Sequence, residues 1–236
     1  MISPGAVAAR PRLDGFTVAA LVVTLVVYPA LYCSGIIGRI VTPIFTENSR
    51  PHWWFFWLAN MAFHWIPFAM VWIALRRNRE SWTSIGVDWG WFVRGWVWVG
   101  LVLAALVVLA FVMPGVHYGD ALPARSRTIF MSPVSTPERL FIIFGAFTAA
   151  VTEEVLFRGF PFTRLSRVIP SPWLILPITV VSFLFIHGVP RDVQGLIAYT
   201  MAGLAFGVPF IFMGLRRLGV LIAIHFFIDA GMVIAP

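Results

Sequence analysis

The sequence contains no lysine, a single cysteine and few charges of either sign. Charged residues fill 11% of the 236 positions and hydrophobic ones 60%, where a soluble domain carries roughly a quarter charged and about half apolar residues. Such a chain cannot cover its own surface with polar groups, so lipid has to be its solvent. The lone Cys33 excludes an internal disulfide and any metal site built from several thiolates; within its apolar run it reads as a small buried hydrophobe. Without lysine, the net charge of +7 comes entirely from arginine. These arginines stand between apolar runs, the placement of topology signals, so the basic balance points to no nucleic-acid partner. Aromatic residues are abundant instead, at 16% with 11 tryptophans, and tryptophan collects at membrane interfaces.

Spans of roughly 17–25 mainly apolar residues are long enough to cross a bilayer. Seven are read: Phe16–Ile37, Trp53–Leu75, Phe92–Met113, Leu140–Phe157, Trp173–His187, Val193–Leu215 and Leu218–Ala235. The expected fold is an all-α, polytopic membrane helix bundle of about seven helices. The first span has Arg10 and Arg12 before it, but it is longer than a signal-peptide core and has no A-x-A cleavage site, so it reads as an uncleaved helix. The fifth is short and meets Gly188 and Pro190 at its end. A helix that stops inside a membrane needs protein or cavity water around its free backbone groups, which makes this break an expected cavity wall. Most tryptophans lie between Trp53 and Trp98 and read as interfacial anchors, with Arg79–Trp91 lying along the interface. The polar stretch Pro114–Arg139 divides the chain into N-terminal helices, residues 1–125, and a C-terminal core, residues 126–236.

Only that core has acids within or beside its apolar runs: Glu153, Glu154 and Asp229. A charge at the bilayer centre costs roughly 2.5–3.5 kcal/mol even on the mild insertion scale, so such residues face protein and are functional candidates by default. Glu154 and Arg158 are i, i+4 and can pair on one helix face. Phe183 and His187 share that spacing, as do His225 and Asp229. Glu153 lies about 100° around the helix from Glu154, so the two carboxylates meet different surroundings. His64, with Asn60 one turn before it, has no motif around it and reads as structural; His52 and His117 read as loop residues.

Glu153-Glu154-x-x-x-Arg158, Phe183-x-x-x-His187 and His225-x-x-x-Asp229, in that order, resemble the three motifs of the CAAX-protease and bacteriocin-processing (CPBP) family of intramembrane proteases, the Rce1-like, glutamate-dependent enzymes. Gly203-Leu204 and the approach from Arg216 to His225 are also similar. The resemblance covers about Phe141–Gly231. It implies an intramembrane endopeptidase in which Glu153 activates water, His187 holds it, and His225 and Asp229 face the scissile carbonyl. Glu154, Arg158 and Phe183 would support them. At position 229 the family often carries Asn; an Asp donates a hydrogen bond only when protonated. The implied substrate is a peptide or protein segment delivered in or at the bilayer; nothing in the sequence shows prenyl recognition. The chemistry agrees with the resemblance, because peptide hydrolysis needs a base, a captive water and donors for the oxyanion.

The sequence holds no H-E-x-x-H, no G-x-S-G and no G-x-G-D, so other routes to intramembrane proteolysis are missing. Two rival readings stay open: a non-catalytic member of the same family, acting in bacteriocin immunity or partner binding, and a small transporter with a carboxylate relay. Metal use also stays open. Glu153, His187 and His225 form a set that zinc could occupy, while the same groups work without metal, the reading preferred here with no cofactor. Eleven arginines, among them Arg76, Arg77, Arg164, Arg167, Arg216 and Arg217, fall on one side of the seven-span arrangement, against six on the other. The positive-inside rule then puts the N-terminus in the cytoplasm of a cell-membrane protein.

Overall fold

The computed structural model describes residues 13–46, 49–88, 90, 133–188 and 193–234. Among them there are seven helices and no strand. The helices are α1 (Gly15–Cys33), α2 (Ile36–Val41), α3 (Arg50–Arg77), α4 (Thr136–Leu165), α5 (Pro172–Ile186), α6 (Val193–Phe212) and α7 (Leu218–Ile234). The fold is therefore all-α. Among the described residues four stretches are long and apolar enough to cross a membrane: α1, α3, α4 and Gly195–Phe212 of α6; α5 and α7 are apolar but shorter. Six of the seven expected spans have a helix here. The third, Phe92–Met113, and His117 lie outside the described residues, so the count of seven is not established. Large apolar side chains such as Val26, Ile66, Leu174 and Ile197 are exposed on the helix faces, as a lipid-solvated bundle requires.

Caps start the helices. Asp14 accepts from the backbone of Phe16 and Thr17 at the head of α1. The Thr17 hydroxyl and the Asn78 amide donate to its other oxygen, and together these donors hold the carboxyl down at about 2. Ser135 and Glu138 form a reciprocal capping box at the start of α4, and Arg50 at the head of α3 pairs with the same Glu138 at 3.2 Å. The S-x-x-E spacing of Ser135 and Glu138 is what allows this reciprocal cap.

Two helices contain a π turn, at Val23–Val27 in α1 and Val155–Gly159 in α4. Each ends two residues before a proline, Pro29 and Pro161. Proline brings no N–H and its ring crowds the carbonyl four residues back; widening that turn relieves the crowding. In α1 the carbonyl concerned is that of Leu25, and it accepts from the Ser182 hydroxyl of α5 (2.8 Å).

At one end of the bundle Glu80, just past α3, binds both Arg164 and Arg167 from the end of α4. At the other end Arg50 meets Glu138. The expected interfacial stretch is partly tucked inside instead: Ile85 and Val87 are buried, and Gly86 accepts from the Leu218 backbone at 2.8 Å. Gly86 has φ +90°, and Gly159 beneath it has no room for a side chain, because a Cβ there would lie 2.8 Å from the Ile85 carbonyl and 2.8 Å from Leu218. The tryptophans also divide. Trp54, Trp65 and Trp72 are exposed, as interfacial anchors should be, but Trp53 is fully buried. His52 is not a loop residue; it is buried in the first turn of α3, edge-on to Phe56.

The thirty residues of α4 span roughly 45 Å. Glu153 lies 17 residues from its start and 12 from its end, so it falls near mid-depth. Helix α5 has only 15 residues, about 22 Å, so His187 at its C-cap comes within the same depth range. One apolar core, including Tyr28, Val71, Leu156, Phe157, Phe183 and Phe210, runs through both halves of the chain.

Candidate active site

Glu154 and Arg158 face inward on α4 and are almost completely buried, the guanidinium 3.0 Å from Glu154 Oε1. Arg158 also donates to the Gly203 carbonyl of α6 (3.4 Å) and lies over the ring of Phe183, 4.3 Å from its centroid. His225, from α7, donates through Nδ1 to the same Glu154 oxygen at 2.8 Å. Its Nε2 is 3.3 Å from Asp229 Oδ2 and 3.9 Å from Glu153 Oε2. Helices α4, α6 and α7 are thus joined through one carboxylate.

Glu153 differs from its neighbour. Both are buried, but Arg158 is engaged by Glu154, and among the described residues no cation lies within hydrogen-bond distance of Glu153. Among the described residues its Oε2 is buried with no hydrogen-bond partner, as is Glu154 Oε2. A buried unpaired carboxylate oxygen calls for an explanation, and a reactive role supplies one.

His187 stands at the C-cap of α5, exposed, with Gly188 following at φ +88°. Its Nδ1–H donates to the Phe183 carbonyl (3.0 Å), which leaves the lone pair on Nε2. The ring stacks on Tyr199 at 4.5 Å and meets Phe183 at 4.8 Å. The structure brings Glu153, Glu154, Arg158, His225 and Asp229 together directly. Among the described residues no hydrogen bond or ion pair joins His187 to Glu153; its own contacts are with Phe183 and Tyr199.

His64, read from the sequence as structural, lies beside this group. It is buried on α3, its Nδ1 2.7 Å from the Tyr28 hydroxyl of α1 and 3.9 Å from Glu153 Oε1. A cavity of about 260 Å³ opens beside it between α3 and α4. Trp57 and Met61 on α3 and Gly145 and Ala149 on α4 wall this cavity, and Asn60, His64 and Asp229 are its polar groups. A signal was present, since an imidazole in an apolar span is a functional candidate by position alone.

The described residues contain no group of three or more His, Cys, Asp or Glu side chains placed to hold a metal ion. Glu153, His187 and His225 are therefore not gathered about a common centre among the described residues, and as placed they do not form the zinc set.

Residues 135–231 match the family model described as type II CAAX prenyl endopeptidase Rce1-like. No curated protein and no solved structure matches the chain. The matched stretch begins at the capping box of α4 and ends just past Asp229, so it holds every motif residue and excludes α1 and α3.

Proposed function

We propose that this chain, whose residues 135–231 form an Rce1-like domain, is an intramembrane endopeptidase that hydrolyses a peptide bond with water activated by Glu153. The observation that carries this reading is the contrast between the adjacent glutamates. Glu154 is held by short bonds to Arg158 and His225, whereas Glu153 makes no short ion pair among the described residues, the His225 and His64 rings standing 3.9 Å from its two oxygens.

The chemistry follows from the donors and acceptors. Water gives one proton to the Glu153 carboxylate and points the other at the Nε2 lone pair of His187. The water oxygen adds to the scissile carbonyl carbon, and the carbonyl π electrons move to oxygen. His225, with carboxylate oxygens at both ring nitrogens, supplies an Nε2–H toward that developing charge. A protonated Asp229, or Asn in its place, would add a second donor. Collapse of the tetrahedral species breaks the C–N bond, and the proton held by Glu153 passes to the leaving amine. Arg158 and Glu154 fix His225 and α6 and touch no substrate atom. The supporting physics is general: a positioned base supplies about 10²–10⁴ in rate and an oxyanion donor about 10²–10³.

The substrate is a peptide or protein segment that reaches the site within the bilayer, and the proposed mechanism uses no metal. The test is Glu153→Gln, which keeps size and removes the base. Its membranes should accumulate an uncleaved polypeptide that wild-type membranes process. Processing by Glu153→Gln at the wild-type rate would favour the non-catalytic reading. Stoichiometric zinc in the purified protein, with activity lost on chelation and restored by zinc, would overturn the metal-free step alone.

A further inference from the structure

The polar network does not stop at the residues of the matched domain. His64, on α3, has its Nδ1 2.7 Å from the Tyr28 hydroxyl and 3.4 Å from Thr152 Oγ1. The tautomer follows from the bonding around it. The Thr152 hydroxyl donates to the Thr148 carbonyl at 2.7 Å, and the Tyr32 hydroxyl is turned away to Asn60 Oδ1 at 2.9 Å. The Tyr28 hydroxyl is left with His64 Nδ1 as its one partner of good geometry. A buried phenol gives its proton to an available acceptor, so Tyr28 donates and Nδ1 accepts. The neutral ring then carries its own hydrogen on Nε2. Among the described residues only Nδ1 of His64 is bonded, and the ring lines the cavity next to Asp229 and Glu153.

From this we propose that His64 is a substrate-binding residue of the site, its Nε2–H donating to a backbone carbonyl oxygen of the peptide that occupies the cavity, with Tyr28 as the positioning residue that fixes the tautomer. An extended peptide in an apolar slot has carbonyls that no water can satisfy, and each unmet group is costly there. The slot is walled mainly by apolar groups, and Met61 packs so closely on Gly145 that a Cβ there would lie 2.4 Å from it. On this assignment α1 and α3 are part of the substrate site although they lie outside the matched stretch. No covalent step is added, since His64 binds and does not transfer a proton.

The inference rests on the proteolytic reading. Its probe is the membrane polypeptide that accumulates in Glu153→Gln cells, captured by cross-linking to the Glu153→Gln protein in its own membranes. Adding His64→Phe, which keeps a ring and removes the donor, should weaken capture by about tenfold, the scale of one hydrogen bond to a buried acceptor. His64→Gln, which keeps an N–H donor, should restore most of that loss. Tyr28→Phe should weaken capture to an intermediate degree. With Glu153 intact, the same variants should raise KM more than they lower kcat. Capture by His64→Phe as tight as the parent's overturns the assignment. Should His64→Phe fail to fold, unchanged capture by Tyr28→Phe overturns it instead. Absence of any accumulating polypeptide in Glu153→Gln cells would count against the proteolytic reading, whereas accumulation with indifferent His64 variants would remove His64 alone.

Discussion

Arg158→Ala tests how the core is held. Arg158 and Glu154 are 2% and 0% exposed at their side chains, so solvent screening gives little relief. Removing one partner of a buried pair strands the other charge at about 3–5 kcal/mol. The guanidinium also lies over Phe183 and Phe206, contacts worth roughly another 0.5–2 kcal/mol. A folded protein has only about 5–15 kcal/mol in total. In a chain of this length 1 kcal/mol corresponds to about 2–4 °C, so the variant should melt roughly 7–28 °C lower in detergent and be depleted in membranes. The double change Arg158→Met with Glu154→Gln should be milder than Arg158→Ala. It removes both charges together and keeps an acceptor for His225 Nδ1. Wild-type melting in Arg158→Ala, or a double variant worse than the single, would refute the idea that stranded charge sets the loss.

His225→Ala should cut turnover by about 10²–10³ while substrate capture persists, and Asp229→Asn should keep or raise activity; a folded but inactive Asp229→Asn would show that the negative charge is needed. Gly159→Ala should destabilise by about 1–3 kcal/mol through overpacking, read as a lower melting temperature, because the Ile85 carbonyl it would strike is backbone; an unchanged melting temperature would mean the 81–87 segment gives way freely. We also propose that the arginine-rich end is cytoplasmic, leaving the C-terminus outside, and a C-terminal reporter active only in the cytoplasm would contradict this.

Much of the fold could be read from the chain because apolar runs bounded by caps and prolines leave helix as the main solution in lipid. Within one helix, spacing was enough. Glu154–Arg158, Phe183–His187 and His225–Asp229 are neighbours because residues four apart share a face, and the structure has all three in contact. A long α4 was also foreseeable from the depth mismatch between Glu153 and His187. Contacts between helices were not legible. Nothing in the spacing says that His225 shares Glu154 Oε1 with Arg158, that Glu80 gathers Arg164 and Arg167, or that Tyr28 meets His64 across 36 positions. Those pairings depend on which faces pack, and sequence periodicity fixes only the face within each helix. The π turns are not legible for a related reason: a 3.6-residue period gives no sign of the widened turns ahead of Pro29 and Pro161. His64 reads as structural from the sequence because no motif surrounds it, and its nearness to Glu153 depends on how α3 packs on α4.

The most direct measurement of the central claim is a quantitative comparison of membrane polypeptides between cells making the wild-type protein and cells making Glu153→Gln at equal abundance. The account expects at least one polypeptide to persist uncleaved in Glu153→Gln membranes, with processing slowed by at least the 10²–10⁴ that a general base supplies, and the purified wild-type protein should cleave it in liposomes. Identical polypeptide profiles, with the purified wild-type and Glu153→Gln proteins equally active or equally inert, would contradict it.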